Sequence, residues 1–201
     1  MTDNTPRSQQ TGNSLEEATA LINRSKYSEA VNTLEKSLKV QPNNTEAWKT
    51  LITCQIEMKQ PQQAIDALEN LLRIDPSAQR AWADKGYLHL LLNQQSESIE
   101  SLKKSLELSP RNWRHWLLLA AAHLLDHEWK EALLSLEKVL LLNPSHAEAW
   151  YNCAVCHLML GDEEAATIAL EYATSLDPNF EDLIEEWSDG EDEVEDLAEA
   201  S

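Results

Sequence analysis

The stretch Pro144-Ser145-His146-Ala147-Glu148-Ala149-Trp150 decides the fold, because its proline and its tryptophan recur along the chain at a fixed step. Pro42, Pro76, Pro110, Pro144 and Pro178 are each 34 residues apart, and Trp48, Trp82, Trp116 and Trp150 keep the same 34-residue step. Two independent residue classes in one period mark an array of one supersecondary unit. Each unit reads as two helices. In the last, residues 147–160 form a periodic run that stops at Gly161-Asp162, and residues 163–176 form a second run ended by Asp177-Pro178. Proline lacks the N–H a helix interior needs and restricts the residue before it, so the recurring Pro ends the second helix. Asn43 and Ser145, each three residues before a glutamate, are the predicted N-caps of the next helices. Pro61 falls where a second helix begins, a place where a missing N–H costs little.

Composition narrows the function classes. The 201 residues are 42% apolar and 25% charged, with only four glycines, so a Gly-rich barrel or a phosphate-loop enzyme is not expected. No apolar run approaches the roughly 20 residues of a membrane span, and the first residues lack the apolar core of a secretory signal. Three cysteines are too few and too odd for a disulfide framework, which points to a cytoplasmic, reducing location. Charge is uneven: residues 139–201 hold 17 acids and no Lys or Arg, and the last 21 residues hold 11 of those acids. Such a block repels phosphate backbones, so nucleic acid is not an expected partner. Residues 1–13 are expected to be disordered, and residues 189–201 to be a disordered acidic tail.

Within a unit the sequence resembles the tetratricopeptide repeat family. With the proline at position 32, the units are 11–44, 45–78, 79–112, 113–146 and 147–180. Position 4 carries Trp48, Trp82, Trp116 and Trp150, and position 20 carries the small Ala30, Ala64, Ser98, Ala132 and Ala166. Position 24 is Leu34, Leu68, Leu102, Leu136 and Leu170. The first unit departs, with Ser14 and Glu17 at positions 4 and 7. The resemblance implies an all-α, right-handed superhelical solenoid of five stacked helix pairs. After it, Phe180, Leu183, Ile184 and Trp187 form one apolar stripe, expected as a capping helix over residues 180–188.

Other constellations are weak. Cys153-Ala154-Val155-Cys156-His157 matches a haem-attachment pattern, but its positions face inward in a repeat helix, so buried structural thiols are expected. His89, His123 and His157 share the 34-residue step, yet equivalent residues of stacked repeats sit about 10 Å apart, far beyond zinc–imidazole bonds near 2 Å. They are expected to be packing imidazoles. No catalytic set stands out, and neither a cofactor nor a metal is expected. The family's carboxylate clamp is met by Lys49 and Arg114 but not by Thr53, Asp84 or Leu118, so no clamp is expected.

The resemblance implies a non-enzymatic scaffold or adaptor, akin to an assembly factor or co-chaperone. Its concave groove is lined by the first helix of each pair. In repeats three to five, 13 of 18 such positions are apolar or aromatic, against three of 12 in the first two. The expected partner-binding residues are Tyr87 and Leu91, then Leu117, Leu118, Ala121 and Leu125, then Tyr151, Val155 and Leu158, with Arg80 and Arg114 at the rim. The expected occupant is an apolar or amphipathic helix or peptide of a protein partner, with a second copy of this chain as another. The alternative function makes the acidic tail the working part, shielding a basic partner or autoinhibiting the groove.

Overall fold

The structure is a computed structural model that describes residues 7–180, with side chains from Ser14 onward. The expected capping segment after Phe180, the expected acidic tail and the first six residues lie outside the described residues. The chain divides into two compact units with the boundary after Pro110. The first contains α1 (Arg7–Ile22), α2 (Tyr27–Val40), α3 (Thr45–Glu57), α4 (Pro61–Ile74), α5 (Gln79–Leu91) and α6 (Gln95–Leu108). The second contains α7 (Trp113–Leu125), α8 (Trp129–Leu142), α9 (Ala147–Met159), α10 (Glu163–Leu176) and a short 3-10 turn, Pro178–Phe180. Among the described residues there is no strand. Within each unit every helix packs on the next in sequence, so odd-numbered helices are the first and even-numbered ones the second of each pair. The first turns of α1 lie in the segment 1–13.

The shared period of Pro and Trp has a direct cause. The indole Nε1–H of Trp48 donates to the Pro42 carbonyl at 2.7 Å, and Trp82 and Trp150 donate to Pro76 and Pro144 at 2.9 Å each. The tryptophan thus ties the start of a first helix to the bend that precedes it. Pro61 stands at the start of α4, as expected. The predicted caps are corrected by one residue. Asn44, not Asn43, accepts from the Ala47 N–H, and His146, not Ser145, accepts through Nδ1 from the Ala149 N–H. The reason is the bend itself: the Asn44 and His146 N–H groups reach back to the Gln41 and Asn143 carbonyls. This makes proline the second residue of a β-turn and leaves the fourth to cap.

The close contact between paired helices rests on small residues. Ala30, Ala64, Ser98 and Ala132 are fully buried, as are Leu34, Leu102 and Leu136 one turn further on. In the third repeat the approach is closest at Gly86, where an added Cβ would lie 2.6 Å from Leu102 Cγ. Lys85 stands where the repeat usually has leucine. It compensates through an ion pair with Glu69 of α4 at 2.8 Å, over the Trp82 ring. The turn between paired helices is also periodic: Ser25, Lys59, Asn93, His127 and Gly161 all have φ between 56° and 78° and recur every 34 residues. One side of that turn is held by the histidines. His89 Nδ1 meets Gln94 Oε1 at 2.7 Å, His123 Nδ1 meets Glu128 Oε2, and His157 Nδ1 lies 3.7 Å from Asp162 Oδ2. They are turn-packing imidazoles, with His157 the most exposed of the three.

Candidate functional site

The expected binding residues fall on first helices, and the two units divide them. Arg80, Tyr87 and Leu91 belong to α5 in the first unit; the remainder belong to α7 and α9 in the second. On α5, Tyr87 and Leu91 are exposed, while Arg80 points into solvent with Nε 3.7 Å from Asp84 Oδ2. In the second unit, Leu117, Leu118 and Ala121 of α7 and Tyr151 and Val155 of α9 are half-buried. Leu117 and Tyr151 pack on one shared core that includes Ala120 and Ala154. Beyond them Leu125 is 53% exposed, Leu158 39% and Met159 54%. The second unit therefore presents a graded apolar face, anchored at its base and open at its edge. Arg114 lies with its guanidinium carbon 4.5 Å from the Trp113 ring centre, which fixes the cation at one end of that face. At the other end the Tyr151 ring stacks on Phe180, centroids 5.1 Å apart.

In the first unit, three of the positions weighed for a carboxylate clamp, Lys49, Thr53 and Asp84, come together at one cavity. This cavity of about 760 Å³ opens between α3, the end of α4 and α5, with Ile52, Leu68 and Leu71 at its floor. Lys49, Thr53 and Asp84 line its wall. Burial raises the Asp84 pKa above the ordinary carboxylate value, partly opposed by Arg80. Asp84 stands beside Lys85 and one turn after Arg80, so in the sequence it reads as part of a solvated charged face.

The three cysteines are buried and free. Burial pushes the Cys153 thiol up to about 12, reinforced by Cys156 and Glu137, and the Cys156 thiol to about 11. Both are neutral thiols in the folded chain, which suits them to packing rather than nucleophilic chemistry. Among the described residues no group of three or more His, Cys, Asp or Glu side chains is placed to hold a metal ion. No helix among them is long and apolar enough to cross a membrane.

Comparison with known proteins follows the same lines. A family model described as a tetratricopeptide repeat matches residues 21–88 and 123–184, and a second with that description matches residues 79–112. A crystal structure of MamA protein superposes with a TM-score of 0.80 at 18% identity, covering 85% of this chain and 93% of that one. MamA from Desulfovibrio magneticus RS-1 gives 0.75 at 16% identity over 85% of this chain and 96% of that one. YrrB, whose structure is described as a tetratricopeptide repeat protein with an unusual peptide-binding site, gives 0.74 at 20% identity over 82% and 85%. At these identities the likeness is one of fold. No curated protein sequence matches the chain.

Proposed function

Because the chain belongs to the tetratricopeptide repeat family, we propose that it is a non-enzymatic adaptor that holds a protein partner on the first-helix face of its second unit. The observation that carries this is the exposure of Leu125, Leu158 and Met159 beside the half-buried Leu117, Leu118 and Tyr151. Leucines left half in water gain free energy when a partner covers them, about 1.5–3 kcal/mol for burial of a whole side chain. The anchored base of the face lowers the ordering that binding would demand. An apolar helix or peptide suits it, since Leu118 and Leu125 lie two turns apart on α7 and Tyr151 and Leu158 two turns apart on α9. Arg114, held on Trp113, is placed to pair with a partner carboxylate and set its direction, although an exposed pair adds little affinity. Tyr87 and Leu91 give the first unit a smaller apolar face of its own. A cytoplasmic location is part of the same proposal, from three buried thiols with no disulfide among them.

The test is affinity purification of the full chain with mass spectrometry, comparing wild type, Leu118→Asp, Leu125→Asp, Leu158→Asp and a chain lacking residues 188–201. The point variants should lose the partner with helix content unchanged, and the truncated chain should keep it. Loss on truncation with retention by the point variants would assign the function to the acidic tail instead.

A further inference from the structure

A second surface lies on the other side of the second unit. Between α8 and α10 runs an open cleft of about 460 Å³, with Trp150, Cys153 and His157 of α9 at its floor. The first unit has a cleft in the same register, about 480 Å³ between α2 and α4 over α3, three 34-residue steps earlier. Shape is shared and chemistry is not. Where the earlier cleft carries Lys39, Gln63 and Asp66, the later one carries Leu141, Ala165 and Ile168. Asn70 is replaced by Tyr172, which stacks on Trp150 with ring centroids 4.8 Å apart. Between α4 and α6 the Lys85–Glu69 ion pair occupies this register. Water-facing positions that are polar or ion-paired in earlier repeats have thus become apolar, and Leu141 is 73% exposed and Ile168 49%.

We propose that this cleft docks an amphipathic helix of another protein, one bearing apolar side chains on one face with Lys or Arg beside them. Geometry supplies the helix. Leu133 and Leu140, which line the cleft with Leu141, are seven residues apart on α8, and Ile168 and Tyr172 are four apart on α10. These make two apolar ridges over about two turns, matching a partner's i, i+3, i+4, i+7 stripe. Charge supplies the basic flank. Residues 139–177 contain six acids and no Lys or Arg. Glu137 lines the cleft, and Glu164 and Glu171 flank Ile168 on α10. Of the two bases of α8, Lys138 is exposed on the outer shoulder of the helix, three residues from Leu141 and about 100° round from Glu137, so that Glu137 is the charge among the lining residues of α8, and Lys130 is two turns nearer the N-terminus.

The same charge argues against the two other occupants. A second copy would set the acids of α10 against acids. The chain's own C-terminal residues add 11 more acids, and Phe180 stacks on Tyr151, which lies about 100° round α9 from Trp150 and does not line the cleft.

The test uses the full chain and a labelled helical peptide of about 18 residues, or five turns, with leucine on one face and lysine elsewhere. A matched peptide carries glutamate for every lysine. The cleft variant is Leu141→Lys with Ile168→Asp, which installs the residues the chain already carries at positions 39 and 66. The Lys peptide should bind wild type, lose at least about tenfold affinity on the cleft variant, and be unaffected by Leu158→Asp; the Glu peptide should not bind. Equal affinity for wild type and the cleft variant, equal binding of the Glu peptide, or loss only on Leu158→Asp would each overturn the proposal. So would a wild-type dimer in sedimentation that the cleft variant abolishes, since the occupant would then be a second copy.

Discussion

Gly86→Ala puts the stacking principle under direct strain. An ideal Cβ at this position lies 2.6 Å from Leu102 Cγ and 3.2 Å from the Ser98 carbonyl oxygen. Carbon atoms in contact prefer about 3.5–4.0 Å, so Leu102 must move by about 1 Å or α5 must lift from α6. Leu102 is fully buried, so it cannot swing out into solvent. Against this, alanine gains about 1 kcal/mol of helix propensity over glycine. Overpacking costs about 1–3 kcal/mol, so the net expectation is destabilisation of up to about 2 kcal/mol. Leu102→Ala alone should cost about 2–5 kcal/mol through the cavity it leaves. In the double variant the new methyl enters that space, so the two changes should cost less together than their sum, by about 0.5–3 kcal/mol. Urea unfolding of the full chain followed by circular dichroism reads all three. If Gly86→Ala stabilises by its propensity and the two changes simply add, the close approach of α5 and α6 at this point is refuted.

Other outcomes follow from particular side chains. Cys153 and Cys156, with pKa values pushed to about 12 and about 11, should resist an aromatic disulfide reagent at pH 8 in the native chain and react fully in urea; prompt native reaction would contradict their burial. Burial lowers the His115 pKa from 6.5, so its neutral form is favoured by folding. That contribution is present above the unfolded value and lost as pH falls through the folded one, and His115→Gln should flatten the acid side of the stability profile. Asp84 has the opposite sign: its raised pKa means that stability falls as pH rises through the folded value. Asp84→Asn should therefore raise the unfolding midpoint at pH 7 and give no gain near pH 3, and equal midpoints at both pH values would refute the assignment. Lys59 holds φ at 56°, so Lys59→Gly should stabilise rather than destabilise, by up to about 1 kcal/mol, in the same urea assay.

The helix pairs were legible because Trp and Pro are bonded to each other through an indole N–H and a carbonyl, so one period had to carry both. Buried small and large residues at positions 20 and 24 were legible for the same reason: packing there tolerates little variation. The left-handed turn residues escaped, since Ser25, Lys59, Asn93, His127 and Gly161 share a backbone shape but no side-chain chemistry. Helix packing on both sides imposes that shape, and only Gly161 would announce it. The caps were misplaced because Glu46 and Glu148 lie three residues after Asn43 and Ser145, whereas the proline turn carries the chain one residue further before the helix starts and leaves Asn44 and His146 to cap. The apolar surface proposed for the partner was partly legible. Apolar counts on first helices pointed to the apolar face of α7 and α9 on which the proposed partner sits, but they could not show that α5 belongs to a separate unit. The cleft of α8 and α10 was invisible to them, because it lies on second helices, where Leu141 and Ile168 read as ordinary members of an apolar stripe.

Amide hydrogen exchange of the full chain, free and with its captured partner, decides whether the first helices of the second unit hold that partner. The account predicts added protection in residues 113–125 and 147–159, the helices that carry Leu118, Leu125, Tyr151 and Leu158, and none in residues 45–57 of α3. Protection confined to residues 188–201, or absent from both α7 and α9 while the partner is bound, would contradict it.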